Sequence, residues 1–297
     1  MSSAVRSGLL AAAVVTAGSR AVRVAATRNE STRNESRRIG SAWIGSACIA
    51  SASNGPAWTR TNYRGVPVSL CAGPLVAAAA VAGAPSAAAT VAAVGAVAAG
   101  RYDDVVGARP EQRRDKGFRG HLAALRAGRL SAGAVKLIGI GAAALTAAGV
   151  QTRRDPARAG SPAEILLNAS LLAGTANLVN LLDLRPGRAA KTVGLLAALG
   201  AGTAASSDRR PFVALLGASA AVLPDDLAER SMLGDAGANG LGIVLGLAVT
   251  QAAPLPLRLG LLAGVLALTA ASERVSFTAV IDRTPPLAWL DGLGRRG

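Results

Sequence analysis

Only 17 of the 297 residues are acidic, and several stand where apolar stretches begin or end. Asp103 and Asp104 are adjacent in GRYDDVVG, Asp183 closes TANLVNLLDLRPG, and Asp235 opens SMLGDAGANGLG. Carboxylates grouped at helix ends repel one another unless a cation lies between them. Ionisable groups at the ends of helices within a membrane bundle mark functional sites. Mg²⁺ suits such a group, because it takes oxygen ligands and usually shares them with substrate phosphates. Asn177, Asn180 and Asp183 recur at a spacing of three, so one polar stripe descends an otherwise apolar span. In lipid such a stripe must face a partner or a wet cavity. Gly234, Gly237, Gly240 and Gly242 flank Asp235 and allow close backbone approach at a helix start, a place that favours anions. Asp225, Asp226 and Glu229 read instead as a solvated helix end. Asp103–Asp104, taken alone, fits either description.

The elements that must position these residues are membrane helices. Apolar residues make up 51% of the chain, charged residues 16%, and the mean hydropathy is +0.38. That much apolar surface excludes disorder for most of the chain, and two cysteines, Cys48 and Cys71, exclude a disulfide scaffold. Aromatics are only 3%, so the apolar mass is Ala, Leu, Val and Gly. Small residues of this kind suit closely packed membrane helices. The net charge of +15 falls between apolar runs, with no interleaving of aromatics and basic residues, which excludes a single-strand nucleic-acid binder.

A spanning helix needs ~20 mostly apolar residues. The sequence predicts an all-α, polytopic membrane bundle with about nine spans by that criterion, near residues 4–22, 66–84, 86–101, 134–151, 163–183, 189–206, 210–224, 236–252 and 255–272. With the N-terminus outside, seven of the 32 basic residues fall outside (Arg6, Arg153, Arg154, Arg158, Arg209, Arg210 and Arg258) and the remaining 25 fall inside or at inner helix ends. This asymmetry predicts an N-out, C-in topology in the cell (plasma) membrane, with the acidic groups at the cytoplasmic face. The expected organisation is a first transmembrane segment over 1–26, a low-complexity loop over 27–56, a transmembrane bundle with cytoplasmic loops over 57–275 and a cytoplasmic tail over 276–297. The loop contains TRNES twice in tandem and a Ser/Gly/Ala-rich tract. The basic loop 105–130 is expected to lie on the inner leaflet as an amphipathic helix, with His121 as an interfacial side chain. Gly242-x-x-x-Gly246 could pack helices within one chain or in a homodimer.

Four segments, in order, resemble the polyprenyl-phosphate N-acetylhexosamine-1-phosphate transferases, the family that includes phospho-N-acetylmuramoyl-pentapeptide transferase. They are Asn62-Tyr63-Arg64-Gly65-Val66-Pro67, then Asp103-Asp104 followed by Leu130-Ser131 and Val135-Lys136-Leu137, then Asn177-x-x-Asn180-x-x-Asp183, and Gly234-Asp235-Ala236-Gly237. The resemblance runs from about residue 60 to 272. It implies transfer of a sugar-1-phosphate from a UDP-sugar to polyprenyl phosphate, with release of UMP, in cell-wall or envelope glycan synthesis. It implies Mg²⁺ held by Asp235 and Asp183. Asp103, Asp104, Lys136 and Asp183 are the implied catalytic residues, with Asp103 or Asp104 contacting the metal or the lipid phosphate and Lys136 holding a phosphate. Asn62, Arg64, Asn177 and Asn180 are implied to bind substrate.

The chain departs from the family at two places. Where the family continues Asp-Gly-x-Asp-Gly, this sequence reads Asp183-Leu184-Arg185-Pro186-Gly187. The late His-containing motif is absent from SERVSFTAVIDRTPPLAWLDGLGRRG, where Arg274, Arg283 or Arg295–Arg296 would have to supply positive charge. These departures keep a second reading open: a non-catalytic relative that binds lipid phosphate or serves as an envelope scaffold. A transporter is a third reading, and no pair of Gly/Pro-broken spans in matching halves supports it.

The charge asymmetry generates a labelling test. Cysteines placed near Arg154 and Arg209 should react with an impermeant thiol reagent from outside the cell. One placed near Lys116 should not, and its labelling would overturn the topology.

Overall fold

The computed structural model describes residues 56–114, 117–153 and 161–295. The expected first span, nearly all of the 27–56 loop, Arg6, Lys116, Arg154, Arg158 and Arg296 lie outside the described residues. Within them the protein is all-α apart from one hairpin, β1 (Thr59–Thr61) paired antiparallel with β2 (Pro67–Ser69). Eight long helices follow at the positions of the second to ninth expected spans. They are α1 (Ala72–Gly83), α2 (Ala87–Tyr102), α4 (Ala132–Arg153), α5 (Pro162–Leu182), α6 (Arg188–Thr203), α7 (Arg209–Leu227), α8 (Gly234–Ala252) and α9 (Leu255–Ser272). The short amphipathic α3 (Gly117–Arg126) lies in the basic loop, and α10 (Phe277–Arg283) and α11 (Pro285–Gly292) form the tail. Among the described residues, three helices are long and apolar enough to cross a membrane: Ala132–Thr152 of α4, Pro162–Leu182 and Leu255–Ser272.

Helix boundaries follow local chemistry. Ser86 caps α2 by accepting the Ala89 amide at 3.0 Å, and Ser161 caps α5 with Pro162 in its first turn. The expected span at 66–84 starts late, at Ala72, because Pro67–Ser69 pairs with Thr59–Thr61. The Asn62 carboxamide oxygen closes that hairpin by accepting the Arg64 and Val66 amides at 2.9 and 3.0 Å.

At the centre stands α8, buried on nearly every face and packed against α5, α2, α1 and α7. α4 closes on α2 and α5, α6 pairs with α7, and α9 rides outside α5. Missing side chains make these contacts close. A Cβ on Gly73 of α1 would lie 2.2 Å from the Leu233 carbonyl oxygen and 2.8 Å from the Gly237 nitrogen. A Cβ on Gly100 of α2 would lie 2.3 Å from the Asp235 carbonyl oxygen. Gly242 and Gly246 meet the backbone of α5 at Ala176 and Leu172, so this seam is used within the chain rather than between two copies. With so few aromatics, the core is chiefly Ala, Val and Leu; Phe212 lies flat against Gly200.

The helices alternate in direction, so one end of the bundle gathers the starts of α1, α4, α6 and α8 and the ends of α2, α5 and α7. The opposite end is stapled by polar contacts. Arg258 donates to Glu164 and Asn168, each at 2.8 Å, and Thr250 to Gln151 at 3.2 Å. Arg210 donates to the Gly83 carbonyl at 3.1 Å.

Because α1 and α8 touch through backbone, Gly73→Val should lower unfolding stability by about 1–3 kcal/mol or more. Gly141→Ala, where an added Cβ meets nothing within 4 Å, should be neutral or slightly stabilising. Thermal unfolding of the two variants in detergent checks this.

Candidate functional site

At the gathered end, the hairpin, the π-helical turn Asp103–Gly107, the first turns of α4 and α8 and the end of α5 converge on one group of charges. Lys136 donates to Asp103 Oδ2 at 2.6 Å and lies 3.5 Å from Asp235 Oδ1. Arg60 donates to Asp104 Oδ1 at 3.3 Å and lies 3.9 Å from Asp235 Oδ2. Asn180 and Asp103 also lie beside the Asp235 carboxylate. Of the expected site residues, Asp103, Asp104, Lys136, Asn180, Asp183 and Asp235 are thus brought together. Asn177 stands one turn earlier on α5, half-buried, and its side chain makes no hydrogen bond among the described residues. Asn62 and Arg64 reach a different carboxylate: Asn62 Nδ2 donates to Glu229 at 2.6 Å and Arg64 Nη1 at 3.1 Å.

The glycine-flanked start of α8 does attract anions, and they are the protein's own. Both oxygens of Asp104 accept α8 amides, from Asp235 at 3.0 Å and Ala236 at 3.1 Å, and the Gly234 amide donates to Asp183. Gly234 has φ +62°, which lets the chain turn sharply into the helix. Asp104 is buried, and burial pushes its carboxyl up to about 6, reinforced by the charge of Asp235 and opposed by the two amides. Burial likewise raises Asp103, against the pull of Lys136. Burial pushes Asp183 well above the ordinary carboxylate range, and the charges of Asp226 and Asp235 push the same way.

Asp225, Asp226 and Glu229 are not a solvated helix end. Asp225 and Asp226 are 0% and 2% exposed. α7 carries them inward: Asp225 accepts from Arg230 Nε at 2.7 Å, and Asp226 accepts the Gly187 amide and faces Asp183. Glu229, at φ +56°, turns its carboxylate onto the hairpin. Arg60 was not among the expected residues. Its signal is the period-two run Arg60-x-Asn62-x-Arg64, which reads as one face of a strand, although only Arg60 lies in β1 and Asn62 and Arg64 belong to the turn.

A cleft of about 410 Å³ opens beside this cluster, walled by Arg60, Asn180, Asp183, Asp226, Ser231 and Asp235. Tyr63 and Arg185 stack at 4.0 Å across other parts of its lining. Within that wall, Asp183 Oδ2, Asp226 Oδ2 and Ser231 Oγ are buried and accept or donate no hydrogen bond. Among the described residues, no three or more His, Cys, Asp or Glu side chains are grouped as a metal cage. Of the two expected metal ligands, Asp183 therefore offers an open oxygen, whereas Asp235 already faces Lys136 and Arg60.

The loop residues have supporting roles. Ser131 Oγ accepts the Ala134 amide at 3.2 Å at the start of α4, and His121 Nδ1 lies 2.7 Å from the same oxygen. This fixes the turn that presents Lys136. In the tail, Arg188 forms a two-point pair with Asp291, both contacts at 2.8 Å. Arg295 pairs with Asp291 at 2.6 Å and donates to the Pro186 carbonyl at 3.0 Å, while Lys191 donates to the carbonyls of Leu290 and Leu293. Arg295 is thus spent on the tail and the Pro186 turn, and neither Arg274 nor Arg283 lines the cleft.

No family model matches the chain, and neither a curated protein nor a solved structure matches it.

The capping role of Asp104 predicts that Asp104→Ala leaves two buried α8 amides unpartnered. Each should cost about 1–3 kcal/mol. The thermal midpoint in detergent should fall accordingly, and an unchanged midpoint would refute the capping role.

Proposed function

We propose that this protein transfers a sugar-1-phosphate from a UDP-sugar to polyprenyl phosphate at the cytoplasmic face of the plasma membrane, releasing UMP. The observation that carries the reading is the convergence of Asp103, Lys136, Asn180, Asp183 and Asp235, from four separate segments, at one end of the bundle, where Asn180, Asp183 and Asp235 line a cleft and Lys136 and Asp103 stand behind Asp235. The reading includes about nine spans, N-out and C-in, on the strength of the basic-residue asymmetry. It places the cleft where nucleotide sugars are.

Phosphoryl transfer needs phosphate charge neutralised, a nucleophile in line and a leaving group positioned. In this reading Lys136 and Arg60 exchange part of their pairing with Asp103, Asp104 and Asp235 for incoming phosphate oxygens. Asp103, half-released from Lys136, accepts the proton of the lipid phosphate. Asn180 holds the Asp235 carboxylate, and Asn62 and Arg64 on the hairpin order the mouth of the cleft through Glu229. Mg²⁺, held at Asp183 and Asp235, would supply further positive charge to the diphosphate.

A second reading has its own support. Lys136 and Arg60 already pair with Asp103, Asp104 and Asp235, two cations among three carboxylates. In that case the charges are a structural lattice and the protein binds lipid phosphate or an envelope partner without chemistry.

Purified protein in detergent, given Mg²⁺ and undecaprenyl phosphate against a panel of UDP-sugars, separates the two by UMP release. The transferase reading expects release with at least one sugar, and an Asp235→Asn turnover lower by ~10²-fold or more with expression intact. No release from wild-type protein with any sugar favours the lattice.

A further inference from the structure

The strongest unexplained feature lies on the side of the cleft away from Lys136. Asp183 comes from the end of α5, Asp226 from the last turn of α7, and Ser231 from the turn before α8. All three line the same cleft. Their exposures are 7%, 2% and 1%. Each carries an oxygen that is buried and unpartnered: Asp183 Oδ2, Asp226 Oδ2 and Ser231 Oγ. Buried polar atoms are otherwise satisfied in the great majority of cases, so three orphans in one wall call for a ligand.

The remaining oxygens state what kind of ligand. Asp183 and Asp226 each take one backbone amide, from Gly234 and Gly187, and the charges of Arg295 and Lys191 reach Asp226 without forming an ion pair with it. The two carboxylates stand close enough for their charges to act on each other. Lys136 and Arg60 serve Asp103, Asp104 and Asp235, and Arg295 and Lys191 are committed to Asp291 and to backbone carbonyls. A hydroxyl beside two carboxylates is an all-oxygen donor set, which suits a hard divalent cation. Mg²⁺ in particular is bound by one or two carboxylates and completes its shell with water or phosphate, so a cage of three acids is not required.

We propose that Asp183, Asp226 and Ser231 form a binding site for a divalent, oxygen-seeking cation, Mg²⁺ or Mn²⁺, with Asp226 as a ligand. The site stands on the geometry alone; its use in phosphoryl transfer rests on the function proposed above. A cation held by these three side chains would add positive charge to the same cleft wall that carries Asp235.

The test uses Mn²⁺ as the probe and the purified full-length protein in detergent. Free Mn²⁺ is followed by its paramagnetic resonance signal, and the thermal midpoint is recorded with and without Mg²⁺. Wild-type protein should bind Mn²⁺ and be stabilised by Mg²⁺. Asp226→Asn should weaken Mn²⁺ binding by at least about tenfold, and Ser231→Ala should weaken it measurably. Both variants should keep the wild-type midpoint or exceed it in chelator, because Asp226→Asn removes a buried repulsion; this separates lost binding from lost folding. Wild-type Mn²⁺ affinity in Asp226→Asn, or no binding by wild-type protein, would overturn the site. Loss of binding in Asp235→Asn with full binding in Asp226→Asn would also overturn it, placing the cation at Asp235 and leaving the transferase reading intact. Mn²⁺ binding that depends on Asp226, in a protein that releases no UMP, supports the site and refutes the transferase reading alone.

Discussion

The grip of Asp104 on the first turn of α8 is the contact on which the rest of the arrangement depends. A helix start presents unpaired amides and a partial positive charge. Here that start is the central helix of the bundle, and it begins inside the protein rather than at its surface. Its amides must therefore be satisfied from within, and Asp104 takes two of them while Asp183 takes a third. Once α8 is fixed in this way, Gly73 and Gly100 let α1 and α2 close against its backbone. The acidic residues are then drawn together by geometry: the residues that cap α8 and the residue that opens it cannot be far apart.

That closeness creates a charge problem, which the chain solves unevenly. On one side of Asp235, Lys136 sits between Asp103 and Asp235, and Arg60 lies between Asp104 and Asp235. On the other side, Asp183 and Asp226 accept amides but form no ion pair among the described residues, and Arg295 and Lys191 act on Asp226 only at a distance. An ion pair broken in a buried place is costly, because the remaining charge is left uncompensated. The first side therefore resists rearrangement unless an incoming anion replaces the carboxylate on each basic group. The second side gains from any cation that enters. A ligand carrying both phosphate and a divalent metal meets the needs of the two sides together, which neither a bare anion nor a bare cation does.

The helices were legible because apolar runs and charged connections alternate along the whole chain, and a helix boundary falls where the first becomes the second. The site was partly legible for the same reason: Asp103, Asp104, Asp183 and Asp235 stand at those boundaries. What escaped was set by long-range packing. Asp225-Asp226 reads as an exposed pair by composition, yet α7 carries both inward, where Arg230 meets Asp225 and the Gly187 amide meets Asp226. The pairing of Arg188 with Asp291 joins residues that share no local pattern. Arg60 left a trace, since polar residues two apart mark one face of a strand, but the strand is only three residues long and is too short to stand out from a loop.

The turn after Asp183 shows how one departure from a resembled pattern can be compensated elsewhere. The pattern continues with a second acid, where this chain has Pro186. Proline fixes its own φ and gives up a donor, so the position contributes rigidity rather than charge. Its carbonyl accepts Arg295 at 3.0 Å, and the next residue, Gly187 at φ +73°, starts α6 while its amide holds Asp226. The turn is thus tied to the tail on one side and to α7 on the other. The acid that faces Asp183 arrives from α7 instead of from the turn itself. Moving that carboxylate to a helix makes its position depend on the whole packing of α6 against α7. It also explains why the tail is fastened so firmly by Arg188, Lys191 and Arg295. A loose tail would free the Pro186 turn, and with it the amide that holds Asp226 toward the cleft.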